Sequence, residues 1–105
     1  MVNPLRGEVE AVLDGERRKL RLTLGSLAEL EQALEAQSLA ALAARFEQGG
    51  LRTGDVTRVL AAGLRGAGAE ATPEDVGRMS VEGGAAGAAR IAARLLRAAF
   101  TGEAA

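Results

Sequence analysis

Apolar and polar residues alternate one by one along the first part of the chain, which is the pattern of a half-buried β-strand. Two such runs lie between about residues 5 and 24, and Asp14-Gly15 separates them. An Asp-Gly pair between alternating runs predicts a β-hairpin, because a type I′ turn needs positive φ at both central residues. The weak strand character of Glu16-Arg17-Arg18 leaves a longer loop open as an alternative.

A two-residue turn at Asp14-Gly15 also fixes the register of the two strands. It places apolar residues opposite each other on one face and acids opposite bases on the other. The pairs are Val9 with Leu20, Leu5 with Leu24, Glu8 with Arg21, and Glu10 with Lys19. Because the apolar pairs and the charge pairs come from one register, each supports the other. We therefore expect Leu20, Leu22 and Leu24 to face the rest of the protein.

After residue 25 the apolar residues recur every three or four positions, which predicts helices. Each helix is preceded by a start signal: Ser26 with Glu29 as a capping box, then Ser38, Thr53, Thr72-Pro73 and Gly83-Gly84. The apolar positions at helical spacing are Leu27, Leu30, Leu34, Leu39, Leu42, Phe46, Val56, Val59, Leu60, Leu64, Ile91, Leu95 and Leu96, and in the short fourth helix Val76 and Met79 are expected to be buried. Glycines at 49–50 and 66–68 predict helix ends.

These elements predict a mostly α-helical α+β fold, in which an N-terminal β-hairpin is followed by about five short helices. We expect a single domain over residues 1–105, with the hairpin at about 5–24 and the helical part at about 26–100. Much of the apolar fraction is alanine, and the only aromatic residues are Phe46 and Phe100. Cores this thin are often completed by a partner or by self-association, and a modestly stable monomer is the alternative.

The composition removes the commonest catalytic chemistries. The chain of 105 residues has no histidine and no cysteine, and its formal net charge is −1. It therefore lacks the usual base, the usual thiolate and the general charge attraction to nucleic acids or acidic membranes. The glycines at 83–87 precede a helix without the pattern of a phosphate-binding loop. We predict no catalytic residue, no cofactor and no metal site, and we expect a cytoplasmic protein because its start has no long apolar run.

The last predicted helix carries the candidate partner-binding residues. Arg90, Arg94 and Arg97 share one face, beside an apolar stripe that contains Ile91, Leu95 and Phe100. An amphipathic helix with a basic border suits a partner groove with an acidic rim. The alternative is that the stripe belongs to the core and the arginines are solvated.

Four segments carry a resemblance to a known family. They are Asn3-Pro4-Leu5-Arg6-Gly7-Glu8, the run from Leu22 to Glu31, Ala62-Gly63-Leu64-Arg65-Gly66, and the run from Val81 to Ala88. In their order and spacing, the chain resembles a small tail-assembly family of the gene transfer agents of alphaproteobacteria and of related prophages. The resemblance implies protein–protein binding to phage-type tail proteins, either tube or tape measure proteins, without enzyme activity.

Three hypotheses follow, none of which includes a membrane partner. The leading one is a tail assembly chaperone or adaptor that binds through its helix faces and hairpin edge, because a short chain with one hairpin lacks the extended sheet of a tube subunit. The second is a structural component retained in the particle. The third is a small DNA-binding regulator, which the long glycine-rich connection between the helices of residues 53–79 disfavours. Self-association is a further expectation.

Overall fold

The N-terminal hairpin forms with the register that the sequence predicts. The computed structural model describes residues 7–34, 38–49 and 52–101. Strands β1 (Glu8–Leu13) and β2 (Glu16–Arg21) are antiparallel, and Val9 lies opposite Leu20. The turn residues Asp14 and Gly15 have φ of 53° and 79°. Because β2 starts directly after this turn, the alternative of a longer loop is wrong.

Two details of the hairpin differ from the prediction. The ion pairs run diagonally rather than straight across, with Lys19 Nζ 3.7 Å from Glu8 Oε2 and Arg17 Nε 4.0 Å from Glu10 Oε1. Long side chains lean along a strand, and diagonal neighbours are within their reach. The expectation that Leu24 faces the helices is wrong. Strand β2 ends at Arg21, and Leu24 is the first residue of a helix. The side chain of Leu24 is 86% exposed. Its predicted partner, Leu5, lies outside the described residues.

Five helices follow the hairpin in the described part of the chain, which confirms the predicted α+β class. They are α1 (Leu24–Leu34), α2 (Leu39–Glu47), α3 (Thr53–Gly66), α4 (Pro73–Gly77) and α5 (Gly84–Thr101). Two of the predicted start signals are confirmed. Ser38 Oγ accepts from the Ala41 N–H at 3.0 Å, and Thr72 forms a reciprocal capping box with Asp75 at 3.0 and 3.1 Å. The bonds from Thr72 hold the pKa of Asp75 below its ordinary value, because they favour the charged carboxylate.

Two other predicted caps are wrong. The first helix begins at Leu24, and Thr23 Oγ1 accepts the Ser26 N–H at 3.0 Å, so Ser26 lies within the first turn. Glu29, the expected capping partner of Ser26, instead binds Arg65 of α3 at 2.7 Å. In α3, Thr53 is already helical, and Arg52 precedes it without a side-chain capping bond. At α1, Thr23 and Ser26 lie three positions apart and satisfy the same local rule, so the local sequence does not distinguish them.

The core lies where α3 crosses the hairpin. Helix α3 packs against β2, α1, α4 and α5, and α5 also packs against α2 and β1. The fully buried side chains of α3 and α5 include Leu60, Leu64, Leu95 and Leu96. Many of the buried side chains are alanine, so the elements lie close together and the core is thin.

Two glycines of α3 permit the close crossing. A Cβ at Gly63 would lie 2.9 Å from Leu95 Cδ1 and 3.1 Å from Leu20 Cβ. A Cβ at Gly66 would overlap the carbonyl oxygen of Arg21 at the end of β2. Since a backbone carbonyl cannot move aside as a flexible side chain can, Gly66 sets how near α3 approaches the sheet.

We expect Gly66→Ala to lower the free energy of unfolding by about 1–3 kcal/mol, the usual cost of overpacking. The matched control is Gly54→Ala in the first turn of the same helix, where nothing lies within 4 Å of the added Cβ. That change should leave stability unchanged or raise it by up to about 1 kcal/mol through helix propensity. Urea unfolding measures both. Equal effects of the two substitutions would contradict the close crossing.

The position of the first cap is testable in the same way. Thr23→Ala removes the oxygen that accepts the Ser26 N–H and should cost about 1 kcal/mol. Ser26→Ala leaves that bond in place and should cost clearly less. Thermal unfolding compares the two variants. A larger loss of stability for Ser26→Ala would indicate that Ser26, and not Thr23, caps the helix.

Candidate interaction surfaces

Helix α5 divides the predicted partner-binding residues between the core and the surface. Ile91 and Leu95 are only 8% and 0% exposed, and both belong to the core. Phe100, near the end of the helix, is 45% exposed. The apolar stripe thus serves mainly to pack α5 onto the rest of the protein, which leaves Phe100 and the arginines as the accessible part of this prediction.

Arg97 joins α5 to α2. Its guanidinium donates two hydrogen bonds to Glu47, from Nη2 at 2.9 Å and from Nε at 3.2 Å. This two-pronged geometry is the strong form of an arginine–carboxylate pair. The hydrogen bond from Arg97 lowers the pKa of Glu47, and the same contact raises the pKa of Arg97. Arg97 therefore holds two helices together and differs in role from its neighbours on α5.

Arg90 and Arg94 remain exposed and form no ion pair with any residue that the structure describes. They line a cavity of about 250 Å³ between α5 and the outer edge of β1. The other residues around it are Glu10, Ala11, Val12, Glu82, Gly87 and Ile91. We name this cavity the edge groove. Of the predicted partner-binding residues, the structure brings Arg90, Ile91 and Arg94 to this groove.

A short segment before α5 extends the hairpin at one end of the edge groove. The Asp14 N–H donates to Ser80 O at 2.8 Å, and the Glu82 N–H donates to Val12 O at 3.2 Å. Leu13 and Val81 form an isolated antiparallel bridge between these bonds. The sequence does not predict this pairing, because three residues without alternation or a nearby turn carry no strand signal.

Two further cavities are more apolar. One of about 380 Å³ lies between α3, α4 and the start of α5, with Val56, Leu60, Val76 and Met79 in its wall. Another of about 630 Å³ includes Leu22, Leu24, Leu27 and Ala99 and lies where α1 begins. Exposed apolar patches of this kind mark interaction sites in many proteins.

Two other kinds of site, a metal centre and a membrane-spanning helix, are absent from the described residues. No group of three or more acidic side chains in these ranges could hold a metal ion. None of the helices there is long and apolar enough to cross a membrane.

The Glu47–Arg97 pair predicts a specific response to acid. Because the pKa of Glu47 is lowered in the folded protein, its stabilising effect is present at neutral pH and is lost as pH falls through the lowered pKa. Arg97→Gln should therefore raise the pKa of Glu47 towards its ordinary value and lower the melting temperature more at pH 7 than below about pH 4. Carbon-detected NMR titration and thermal unfolding measure these effects. The control is Arg94→Gln, and an unchanged Glu47 titration in Arg97→Gln would contradict the pair.

Comparison with known protein families identifies the family of this chain. The family model described as "Phage tail tube protein, GTA-gp10" matches residues 6–102, from just before β1 to the end of α5. No curated protein and no solved structure gave a significant match. The family match covers nearly the whole chain and confirms the resemblance to gene transfer agent and phage tail proteins. The protein therefore belongs to the phage tail tube family of GTA-gp10.

Proposed function

We propose that the protein is a non-enzymatic structural component of the tail of a gene transfer agent, which binds other tail proteins and stays in the finished particle. The observation that carries this proposal is the match of residues 6–102 to a tail tube family. The description of that family favours a structural role over the assembly chaperone, which is the leading hypothesis from the sequence.

The way the elements are tied together supports a surface of fixed shape. The hairpin is held at its open end by the close approach of Gly66 to Arg21, and at its turn by the bonds of Asp14 to Ser80. Arg65 joins α3 to α1 through Glu29. A subunit that is repeated in an assembly benefits from such links, because a rigid contact surface loses little entropy on binding.

A second candidate is a tail assembly chaperone or adaptor that leaves before the particle is complete. The observation in its favour is that the sheet of the described residues has only two strands. A closed tube wall built from sheet needs more strands per subunit or strands shared between subunits. The exposed Leu24 and the apolar cavity beside it would suit transient binding of an unassembled tail protein.

The composition of purified particles distinguishes the two candidates. We expect quantitative mass spectrometry to find this chain in particles at a fixed ratio to the other tail proteins, retained after a high-salt wash. A chaperone would instead be present in the cell lysate with unassembled tail proteins and be absent from washed particles. That second result would overturn the structural proposal. A capsid protein serves as the internal standard for particle number.

A further inference from the structure

Strand β1 pairs with β2 along one edge, and its other edge is the outer edge of the sheet. In a hairpin with a two-residue turn, the residues that flank the turn bond to each other, and every second residue along each strand directs its N–H and C=O outwards. In β1 these outward residues include Val12 and Glu10. The bond from the Glu82 N–H to Val12 O agrees with this assignment.

The pairing along this edge is incomplete. After Glu82 the chain turns away into α5 through Gly83 and Gly84, whose φ values are 87° and 67°. Among the described residues, no segment outside the hairpin bonds to the backbone of Glu10. The edge groove lies at this point, between the unused edge and α5. An edge that already accepts a short strand at one end can accept a further one beside it.

The opposite wall of the edge groove is basic. Arg90 and Arg94 lie one helical turn apart, and both are exposed and form no ion pair within the described ranges. Of the two acids at the groove, Glu10 is 4.0 Å from Arg17, which leaves Glu82 as the acid without such a partner among the described residues. The lining itself carries two acids and two arginines, and Arg17 beside Glu10 adds a third positive charge nearby. The groove therefore has outward backbone groups on one wall and two arginines without an ion pair among the described residues on the other.

We propose that the edge groove binds an extended, acidic segment of another tail protein, which adds as a strand to the outer edge of β1. Its backbone pairs with Glu10, and its carboxylates bind Arg90 and Arg94. Backbone bonds supply affinity in this mode of recognition, and the arginines select the acidic side chains. That the partner is a tail protein rests on the proposed function. The chemistry of the segment rests on the groove alone.

The charge of β2 disfavours the β2 edge of a second copy as the occupant of the groove. Strand β2 carries Arg17, Arg18, Lys19 and Arg21 against a single acid, Glu16. Its edge would bring like charges to Arg90 and Arg94, which costs free energy at close range. An acidic strand from a different protein has no such penalty.

The test measures binding of a fluorescent peptide of alternating Glu and Val, with a peptide of alternating Lys and Val as the comparison. Fluorescence anisotropy should show the Glu peptide binding at least about tenfold more tightly, since each arginine adds a charge-assisted hydrogen bond. The double variant Arg90→Glu, Arg94→Glu should lose that preference. The control variant Arg45→Glu, Arg52→Glu makes the same change in net charge at exposed residues that do not line the groove, and it should bind as wild type does.

The backbone contribution is tested separately. Glu10→Pro removes an outward N–H without removing a bond of the hairpin, and it should abolish binding, whereas Glu10→Ala should keep it. Circular dichroism checks that each variant folds. Amide hydrogen exchange on the wild type gives the same information without a substitution, because the Glu10 amide should exchange more slowly when the Glu peptide is added.

Several results would overturn the proposal. They are equal affinity for the Glu and Lys peptides, unchanged binding by the Arg90, Arg94 double variant, and unchanged exchange at Glu10. Self-association of the wild type that the double variant abolishes, without peptide binding, would assign the groove to a second copy instead. Absence of the chain from purified particles would overturn the structural role and leave the peptide result standing.

Discussion

The close crossing of α3 over the end of β2 is the constraint on which most of the structure depends. Gly66 allows the helix backbone to approach the Arg21 carbonyl. Gly63, about one turn earlier, leaves room for the side chains of Leu20 and Leu95 to pack against the helix. A core with one buried phenylalanine and many alanines has little volume to fill, so its elements must lie close together to exclude water. Glycine at these positions makes that approach possible. The small buried side chains and the close packing of the elements therefore depend on each other.

The same packing explains why α5 has a double role. Its apolar stripe is buried against the hairpin, α2 and α3, so only the opposite side of the helix is accessible. On that side, Arg97 is committed to Glu47, while Arg90 and Arg94 border the edge groove. Three arginines at helical spacing on one helix therefore have different surroundings, and only their neighbours on other elements distinguish them.

The hairpin gains its stability from both of its ends. An isolated pair of strands is marginal in water, and here the open end is covered by α3 while the turn is bonded to Ser80. The middle of the β1 edge is left between these two attachments, beside α5. The two-stranded sheet is thus held in place at both ends, and one of its edges is only partly paired. In a protein of a tail tube family, a strand from a partner could pair with the remaining part of that edge.

The sequence by itself determined the local features of this protein. Alternation, the Asp14-Gly15 turn and matched charges set the strands and their register, and helical spacing set five helices, because each of these signals depends on residues near one another in the chain. Local signals were ambiguous where several hydroxyl residues lay close together, as at Thr23 and Ser26. Only the tertiary structure decided that Ser80–Glu82 pairs with the hairpin, that Ile91 and Leu95 are buried, and that Arg97 binds Glu47 while Arg90 and Arg94 do not. These contacts join residues that are far apart in sequence, and their geometry follows from how closely α3 and α5 pack against the sheet.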